Sequence, residues 1–229
     1  LNKTLTFMGL GRVQHTNNVF QATLGAKGDI GKTGISWEIY GSHGETELTD
    51  KGISGFASLT RLTQLLQAPN YGANYRGTFG TCTSGINPFG EQNGTGPNSG
   101  SFGDARLPTV SADCIDFLNP YWTNTTRIKQ NIVEATAQGG LFQLPAGEMR
   151  FAAGVGYRRT SLDFDADKAL APNSAYLSDT AGQFGVLSVE GWDSVKEGYV
   201  ELLVPLLKDL PLIQSLEMDF AYRYSDYKR

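Results

Sequence analysis

The sequence has little of what most catalytic sites require. It contains two histidines and two cysteines, and it carries no serine-hydrolase elbow, zinc-protease helix or phosphate-binding loop. We therefore expect no enzyme activity and no cofactor. The net charge of −4 argues against a nucleic-acid partner, because such partners favour a basic face. No apolar run approaches the roughly 20 residues of a membrane helix, which excludes a helical membrane protein.

The sequence is rich instead in alternating apolar and polar residues, which is typical of β-strands with two different faces. Six alternating segments pair into three predicted hairpins, at about residues 19–49, 128–165 and 194–227. The predicted turns are short, at residues 29–32, 144–147 and 208–211. Two long polar connections separate the hairpins, at about residues 50–126 and 166–193. The pattern predicts an all-β fold, an antiparallel up-and-down meander of about six strands.

Two architectures fit this alternation. In a soluble β-sandwich, such as a surface adhesin or a glycan-binding module, a second sheet covers the apolar face. In a transmembrane β-barrel that face meets lipid, and the charged face lines a wet lumen. Alternating runs of more than ten residues, tyrosines near the strand ends and long connections favour the barrel. The two architectures differ in whether a sheet covers the large apolar residues Phe20, Leu24, Trp37, Phe151, Met218 and Phe220.

Three segments of the sequence resemble segments of a known protein family. Residues 194–227, SVKEGYVELLVPLLKDLPLIQSLEMDFAYRYSDY, resemble a hairpin of the TonB-dependent receptors, with V-x-E-x-Y-x-E-L-x-x-P-L-L on one strand and S-L-E-x-x-x-A-x-R-Y-S-D-Y on the next. Residues 141–159, LFQLPAGEMRFAAGVGYRR, resemble another hairpin of that family, with L-P-A-G at the turn. Residues 82–90, CTSGINPFG, followed by Cys114, resemble its cysteine-bracketed extracellular loop. The chain is therefore similar to part of such a receptor.

The resemblance implies a barrel of about 22 strands in the outer membrane of a Gram-negative bacterium, in contact with lipid and closed by an N-terminal plug. It implies energised uptake of a scarce ligand, such as a glycan or a ferric siderophore, with the TonB complex pulling on the plug. This sequence shows no plug and only about six strands, whereas a closed membrane barrel needs at least about eight. We therefore expect residues 1–229 to be a partial barrel, with Leu1 either a mature or a truncated start.

The first long connection carries the predicted ligand-binding residues, which are Tyr71, Tyr75, Phe79, Asn87, Phe89, Tyr121 and Trp122. Aromatic faces stack on sugar rings or catechols, and amides bond to hydroxyl groups. The alternative is that these side chains only pack the connection against its neighbours. The connection lacks a basic cluster for an anionic siderophore, which favours a glycan. Leucines at helical spacing in residues 56–67 predict a short helix, either packed on the barrel rim or binding a partner.

Cys82 and Cys114 are the only two cysteines, and an even count in a loop fits one disulfide in an oxidising compartment. Two free thiols are the alternative, and no histidine lies close enough in sequence to favour a metal site. Aspartates at positions 163, 165 and 167 are spaced as at the start of a calcium loop, but Lys168 and Ser174 replace the glycine and glutamate of an EF-hand. These aspartates form either an acidic stripe or a cation site, and no metal is predicted.

Overall fold

The computed structural model describes residues 5–86, 110–174 and 177–229. Asn87 and Phe89, two of the predicted ligand-binding residues, lie outside this part of the chain. The described residues are mostly antiparallel β-structure, which confirms the predicted fold class at this level. None of the helices within them combines the length and the apolar character that crossing a membrane requires.

The elements follow one another in the order β1 (Arg12–Asp29), β2 (Ile35–Ser54), α1 (Leu59–Gln67), β3 (Ala73–Gly77), β4 (Gly80–Ser84), α2 (Ala112–Leu118), β5 (Trp122–Leu144), β6 (Gly147–Asp165), β7 (Pro172–Ser174), β8 (Leu177–Ser178), β9 (Val189–Leu210) and β10 (Ile213–Lys228). The six long strands form one sheet in the order β1-β2-β5-β6-β9-β10. Each long strand therefore lies beside the next long strand in the sequence, which is the predicted meander. The remaining strands form two small pairs, β3-β4 and β7-β8.

The long strands extend further than the alternation predicted. The alternation predicts that residues 50–54, 122–126 and 189–193 lie in the connections, but they belong to β2, β5 and β9. Strand β1 begins at Arg12 rather than near residue 19. The extensions carry polar residues on both faces, so the backbone pairing continues after the hydropathy alternation has ended. Alternation thus located the middle of each strand and not its ends.

The turn of the third hairpin also differs from its prediction. Residues 208–211 were expected to turn, but β9 runs to Leu210 and pairs with Ile213, so the turn is Pro211-Leu212. Leu212 has a φ of 74°. A proline followed by a residue with positive φ is the arrangement of a type II turn. The fixed φ of Pro211 therefore sets the first corner, and the turn lies two residues later than predicted.

The apolar face of the main sheet is exposed. Of the six residues that separate the two architectures, five are 37–84 % exposed, namely Phe20, Leu24, Trp37, Met218 and Phe220. Phe151 is half-buried. Val133, Val155 and Val200 on the same face are also exposed, at 52 %, 64 % and 41 %. No described sheet covers these side chains as a β-sandwich would require.

The chain divides into two compact units. The first, which we call the sheet unit, comprises Asn18–Glu47, Thr126–Asp163 and Val189–Arg229. The second, which we call the loop unit, is built from Leu1–Asn17, Leu48–Thr125 and Phe164–Ser188. The loop unit contains most of the two predicted connections, and its described part has a core of its own.

Two apolar clusters form the core of the loop unit. The larger one centres on Phe117, Leu118 and Leu65, all at most 1 % exposed, together with both cysteines. The smaller one consists of Phe56, Trp122 and Leu170. These connections were expected to be polar loops, but their scattered apolar residues meet in space. Burial of this kind orders a segment that its local composition describes as a loop.

Helix α1 confirms the helix predicted within residues 56–67. It starts at Leu59 because Ser58 is the N-cap, and the Ser58 hydroxyl accepts a hydrogen bond from the amide of Arg61. Leu65 is fully buried and Leu62 packs against the larger cluster. Leu59 and Leu66 remain 39 % and 38 % exposed. Only half of the leucine stripe is therefore used in the core.

Candidate functional site

The loop unit is fastened by the disulfide between Cys82 and Cys114, whose sulfur atoms lie 2.00 Å apart. This confirms the predicted pairing. The bond joins β4 to α2, and both cysteines are fully buried. Ser84 and Ser111 lie beside it, and their hydroxyl groups bond to each other at 3.1 Å. The hydroxyl groups of Ser84 and Ser111 thus have hydrogen-bond partners beside the buried disulfide.

Asp179 fastens the start of α1 from a distant part of the chain. Its carboxylate accepts hydrogen bonds from the Thr60 amide at 2.8 Å, from the Thr60 hydroxyl at 2.6 Å and from the Ser58 hydroxyl. Burial opposes ionisation of Asp179, but the bonds from Ser58 and Thr60 outweigh it and lower the pKa of Asp179. A carboxylate at this end of a helix also meets the positive end of the helix dipole.

Arg61 joins α1 to the end of α2. Its Nη1 atom donates to the carbonyl oxygens of Phe117 and Asn119, at 3.0 and 2.9 Å. The guanidinium carbon lies 4.2 Å from the ring centre of Phe79. The last carbonyls of a helix have no partner within it, and Arg61 supplies one. Its charge is therefore engaged inside the loop unit.

The structure separates the five described ligand-binding candidates into two groups. Tyr75 is half-buried and its ring lies 5.6 Å from that of Phe117, edge to face. Trp122 is 7 % exposed, packs on Phe56 at 5.6 Å and begins β5 instead of lying in the connection. Tyr71, Phe79 and Tyr121 are exposed, at 41 %, 49 % and 60 %. Only this second group presents ring surface to a ligand.

A strained turn presents Tyr71. Asn70, Tyr71 and Gly72 are consecutive residues with left-handed backbones, at φ values of 51°, 53° and 81°. Left-handed residues other than glycine cost roughly 1 kcal/mol each. The amide of Ile86 donates to the carbonyl oxygen of Tyr71 at 2.8 Å and holds the turn. Strain of this kind persists only where neighbouring contacts impose it, and it is common at ligand-binding turns.

Tyr121 follows α2 in the chain and is held by that helix. Its hydroxyl donates to Asp116, and this bond raises the pKa of Tyr121. The ring itself remains exposed. A hydrogen-bonded hydroxyl restricts the ring to one orientation, so that less rotamer entropy is lost when a ligand stacks on it.

Asp113, on α2, fixes β4. Its carboxylate accepts hydrogen bonds from the Thr83 amide at 2.8 Å, from the Thr83 hydroxyl at 2.7 Å and from the Thr81 hydroxyl at 3.3 Å. Hydrogen bonds from Ser111 and then Thr83 lower the pKa of Asp113 to about 2. No sequence motif marks Asp113 or Asp179, because the strand and the helix that they fasten lie at least 30 positions away in the chain.

Replacing Asp113 by asparagine should remove an acid-sensitive part of the stability of the loop unit. The folded-state pKa is about 2 and the ordinary value is 3.8, so the contribution is present above about pH 4 and is lost as the pH falls towards 2. The melting temperatures of the wild type and Asp113→Asn should differ above pH 4 and converge near pH 2, as followed by near-ultraviolet circular dichroism. Asp193→Asn, which removes an exposed carboxylate with no ion pair among the described residues, is the control. Parallel curves for the wild type and Asp113→Asn would contradict the assignment.

Of the aspartates at positions 163, 165 and 167, the last two have separate hydrogen-bond partners. Asp165 accepts from the Ser188 hydroxyl at 3.2 Å. Asp167 accepts from the Thr123 amide at 2.8 Å and from the Ala169 amide at 2.9 Å, where it caps a short 3-10 helix. Across residues 5–86, 110–174 and 177–229, no group of three or more histidine, cysteine, aspartate or glutamate side chains could hold a metal ion. These contacts are those of a strand end and a helix cap.

The polar face of the sheet unit contains a concavity with a volume of about 610 Å³, lined in part by Lys27, Glu38, Gln138 and Tyr199. Tyr199 lies against Gly154, where an added Cβ would stand 2.4 Å from its ring. The Tyr40 hydroxyl donates to Glu134 at 2.9 Å further along this face. The face is therefore hydrogen-bonded and wettable.

Comparisons with known proteins give no match: no family model fits the chain, and no curated protein or solved structure is significantly similar to it. The resemblance to TonB-dependent receptors therefore rests on the three strings alone.

Proposed function

We propose that the sheet unit is part of the wall of a transmembrane β-barrel in the outer membrane of a Gram-negative bacterium. The observation that carries this proposal is the apolar face of the six-stranded sheet, which is exposed along its strands. An apolar patch of this extent on a water-soluble protein would promote association. Contact with lipid would cover this patch and prevent such association, because aliphatic and aromatic side chains are stable in hydrocarbon.

The dimensions of the apolar face support the proposal. On β10 the outward apolar residues run from Leu216 to Tyr224. Eight steps of about 3.3 Å make about 26 Å along the strand, or about 20 Å in height at the ~40° tilt of barrel strands. That height is close to the ~25 Å apolar band of such barrels. Tyr222 and Tyr224 lie at its upper end, where aromatic girdles occur.

The same face becomes charged beyond the apolar band. Arg127 forms ion pairs with Glu45 at 3.2 Å and with Glu47, and Lys129 lies 3.6 Å from Glu45. By strand alternation these residues share the face of Ile39. Exposed pairs of this kind add little stability. They mark instead the level at which this face leaves the hydrocarbon and meets water.

We further propose that the barrel belongs to a TonB-dependent receptor and that the loop unit contacts its ligand. The exposed rings of Tyr71, Phe79 and Tyr121 suit the faces of sugar rings. Arg61 is engaged by Phe117 and Asn119, so its charge is not available to an anionic chelate. These features favour a neutral glycan over a ferric siderophore. Energy would come from the TonB complex through a plug domain.

Membrane fractionation tests the first proposal. Because six strands cannot close a barrel, the test uses a receptor with a complete barrel that contains this chain, and it should stay in the outer-membrane pellet after a carbonate wash, which strips peripheral proteins. A periplasmic protein of similar size, expressed alongside it, controls for trapping. Recovery of that folded receptor in the soluble fraction would contradict the barrel and favour a surface adhesin.

Replacing Tyr121 by alanine should weaken glycan binding and leave folding intact. Loss of one stacking contact of about 1 kcal/mol corresponds to a roughly five-fold higher Kd. Oligosaccharide binding by isothermal calorimetry measures the change. Phe184→Ala is the matched control, because Phe184 is a 78 % exposed ring of the loop unit outside the candidate set. Equal effects of both variants would contradict a specific role for Tyr121.

A further inference from the structure

The exposed ring of Tyr121 follows a buried stretch of the loop unit. The Tyr121 side chain is 60 % exposed, whereas residues 117–120 are buried. Pro120 is fully buried, and its ring fixes the backbone immediately before Tyr121. The side-chain amide of Asn119 donates to the carbonyl oxygen of Ile53 at 2.9 Å, which joins this stretch to the end of β2. The chain therefore holds the ring at the surface in a fixed position.

Asp116 places an exposed carboxylate at the hydroxyl edge of this ring. Its Oδ1 atom accepts the hydrogen bond from Tyr121, and its Oδ2 atom has no hydrogen-bond donor among the described residues. Arg61 is near enough to interact with this charge, but its Nη1 atom donates to the carbonyl oxygens of Phe117 and Asn119 instead. No ion pair within the described part of the chain includes Asp116. Because a carboxylate can accept about four hydrogen bonds, Asp116 can still accept from a ligand.

A fixed ring with a carboxylate at its edge suits a neutral sugar. The C–H face of a pyranose can stack on the ring of Tyr121, and the hydroxyl groups at the edge of the sugar can donate to Asp116. Hydrogen bonds to a charged acceptor are roughly twice as strong as those between neutral groups. A uronic acid carries a carboxylate of its own, which offers Asp116 no donor and repels its charge.

We propose that Asp116 determines the specificity of the loop unit, because it accepts hydroxyl groups from a neutral pyranose stacked on Tyr121 and rejects uronic acids. The inference rests on the proposed glycan binding by the loop unit and names the class of sugar that this site takes. Orientation of the Tyr121 ring needs only a hydrogen-bond acceptor, which an asparagine would also supply. Selection by charge needs the carboxylate.

The experiment uses a receptor with a complete barrel that contains this chain, in detergent micelles. Isothermal calorimetry compares neutral oligomers of glucose, mannose and galactose with the corresponding uronic acid oligomers of the same linkage and length. Two like charges ~4 Å apart repel by about 1 kcal/mol in water, so the wild type should bind the neutral member of any pair that it binds about five-fold more tightly. Asp116→Asn keeps an acceptor for the Tyr121 hydroxyl, and it should bring the two Kd values of a pair together.

Two further variants separate the charge of Asp116 from other effects. Asp193→Asn removes an exposed carboxylate of β9 and should leave the discrimination unchanged. Tyr121→Phe removes the hydroxyl group but keeps the ring and Asp116, so the neutral oligomer should still be preferred. Equal binding of paired oligomers by the wild type, undiminished discrimination in Asp116→Asn, or its loss in either further variant would overturn the role of Asp116. Binding of neither member of any pair would instead overturn the proposed glycan function.

Discussion

Replacing both Cys82 and Cys114 by serine should lower the free energy of unfolding of the loop unit by about 4 kcal/mol. The bond closes a loop with a sequence separation of 32. In the entropic model, a loop of this length restricts the unfolded chain by about 4 kcal/mol. The free energy of unfolding of a typical domain is only about 5–15 kcal/mol. The double variant should therefore have a loop unit that opens readily while the sheet unit persists.

Hydrogen exchange resolves the two units. Amides in residues 56–86 should exchange faster in the double variant, whereas amides in β9 and β10 should be unchanged. Reduction of the wild type should reproduce this pattern, and reduction of the double variant should have no effect, which controls for the reductant. If residues 56–86 kept their protection without the bond, the apolar clusters alone would be sufficient to hold the loop unit together.

The sheet was predictable because its signal is local. The alternation of apolar and polar residues indicates which residues share a face, and the three short turns indicate where the chain reverses direction. The strand ends were missed because polar side chains such as His15 and Asp50 stand there. Their side chains hydrogen-bond to each other at 2.6 Å across β1 and β2, a contact that hydropathy does not register.

The loop unit was not predictable because its contacts are distant in sequence. Ser58 and Asp179 are 121 residues apart, and Arg61 reaches Asn119 across 58 residues. The composition of residues 50–126 resembles that of a polar loop and predicts a ligand-facing Trp122, whereas the structure buries Trp122 in an apolar cluster. Tyr71 and Tyr121 could be named from composition, but their exposure depends on a left-handed turn and on Asp116. The disulfide is the one long-range contact that the sequence predicts, because two cysteines allow only one pairing.

The sharpest test of the membrane interpretation compares two adjacent residues of β9. Val204 lies on the apolar face opposite Met218 of β10, and Leu203 lies on the polar face opposite Asp219. Both side chains are aliphatic and half-buried. Val204 is six residues from Leu210 at the end of the strand, which places it about 15 Å above the turn, near the middle of a ~25 Å apolar band.

Val204→Arg should destabilise the protein folded in lipid by about 2–4 kcal/mol, because it places a guanidinium near the middle of the hydrocarbon. Leu203→Arg should change little, because Asp219 and Glu201 line the same concave polar area as Leu203. Urea titration of folding into phosphatidylcholine vesicles measures both, with each variant placed in the complete barrel of which the sheet unit is proposed to be part. On a water-exposed sheet, arginine is tolerated on either face, so the two variants would be equally stable and the barrel would be excluded. A deficit confined to Val204→Arg requires that one face of β9 meet a medium that rejects charge.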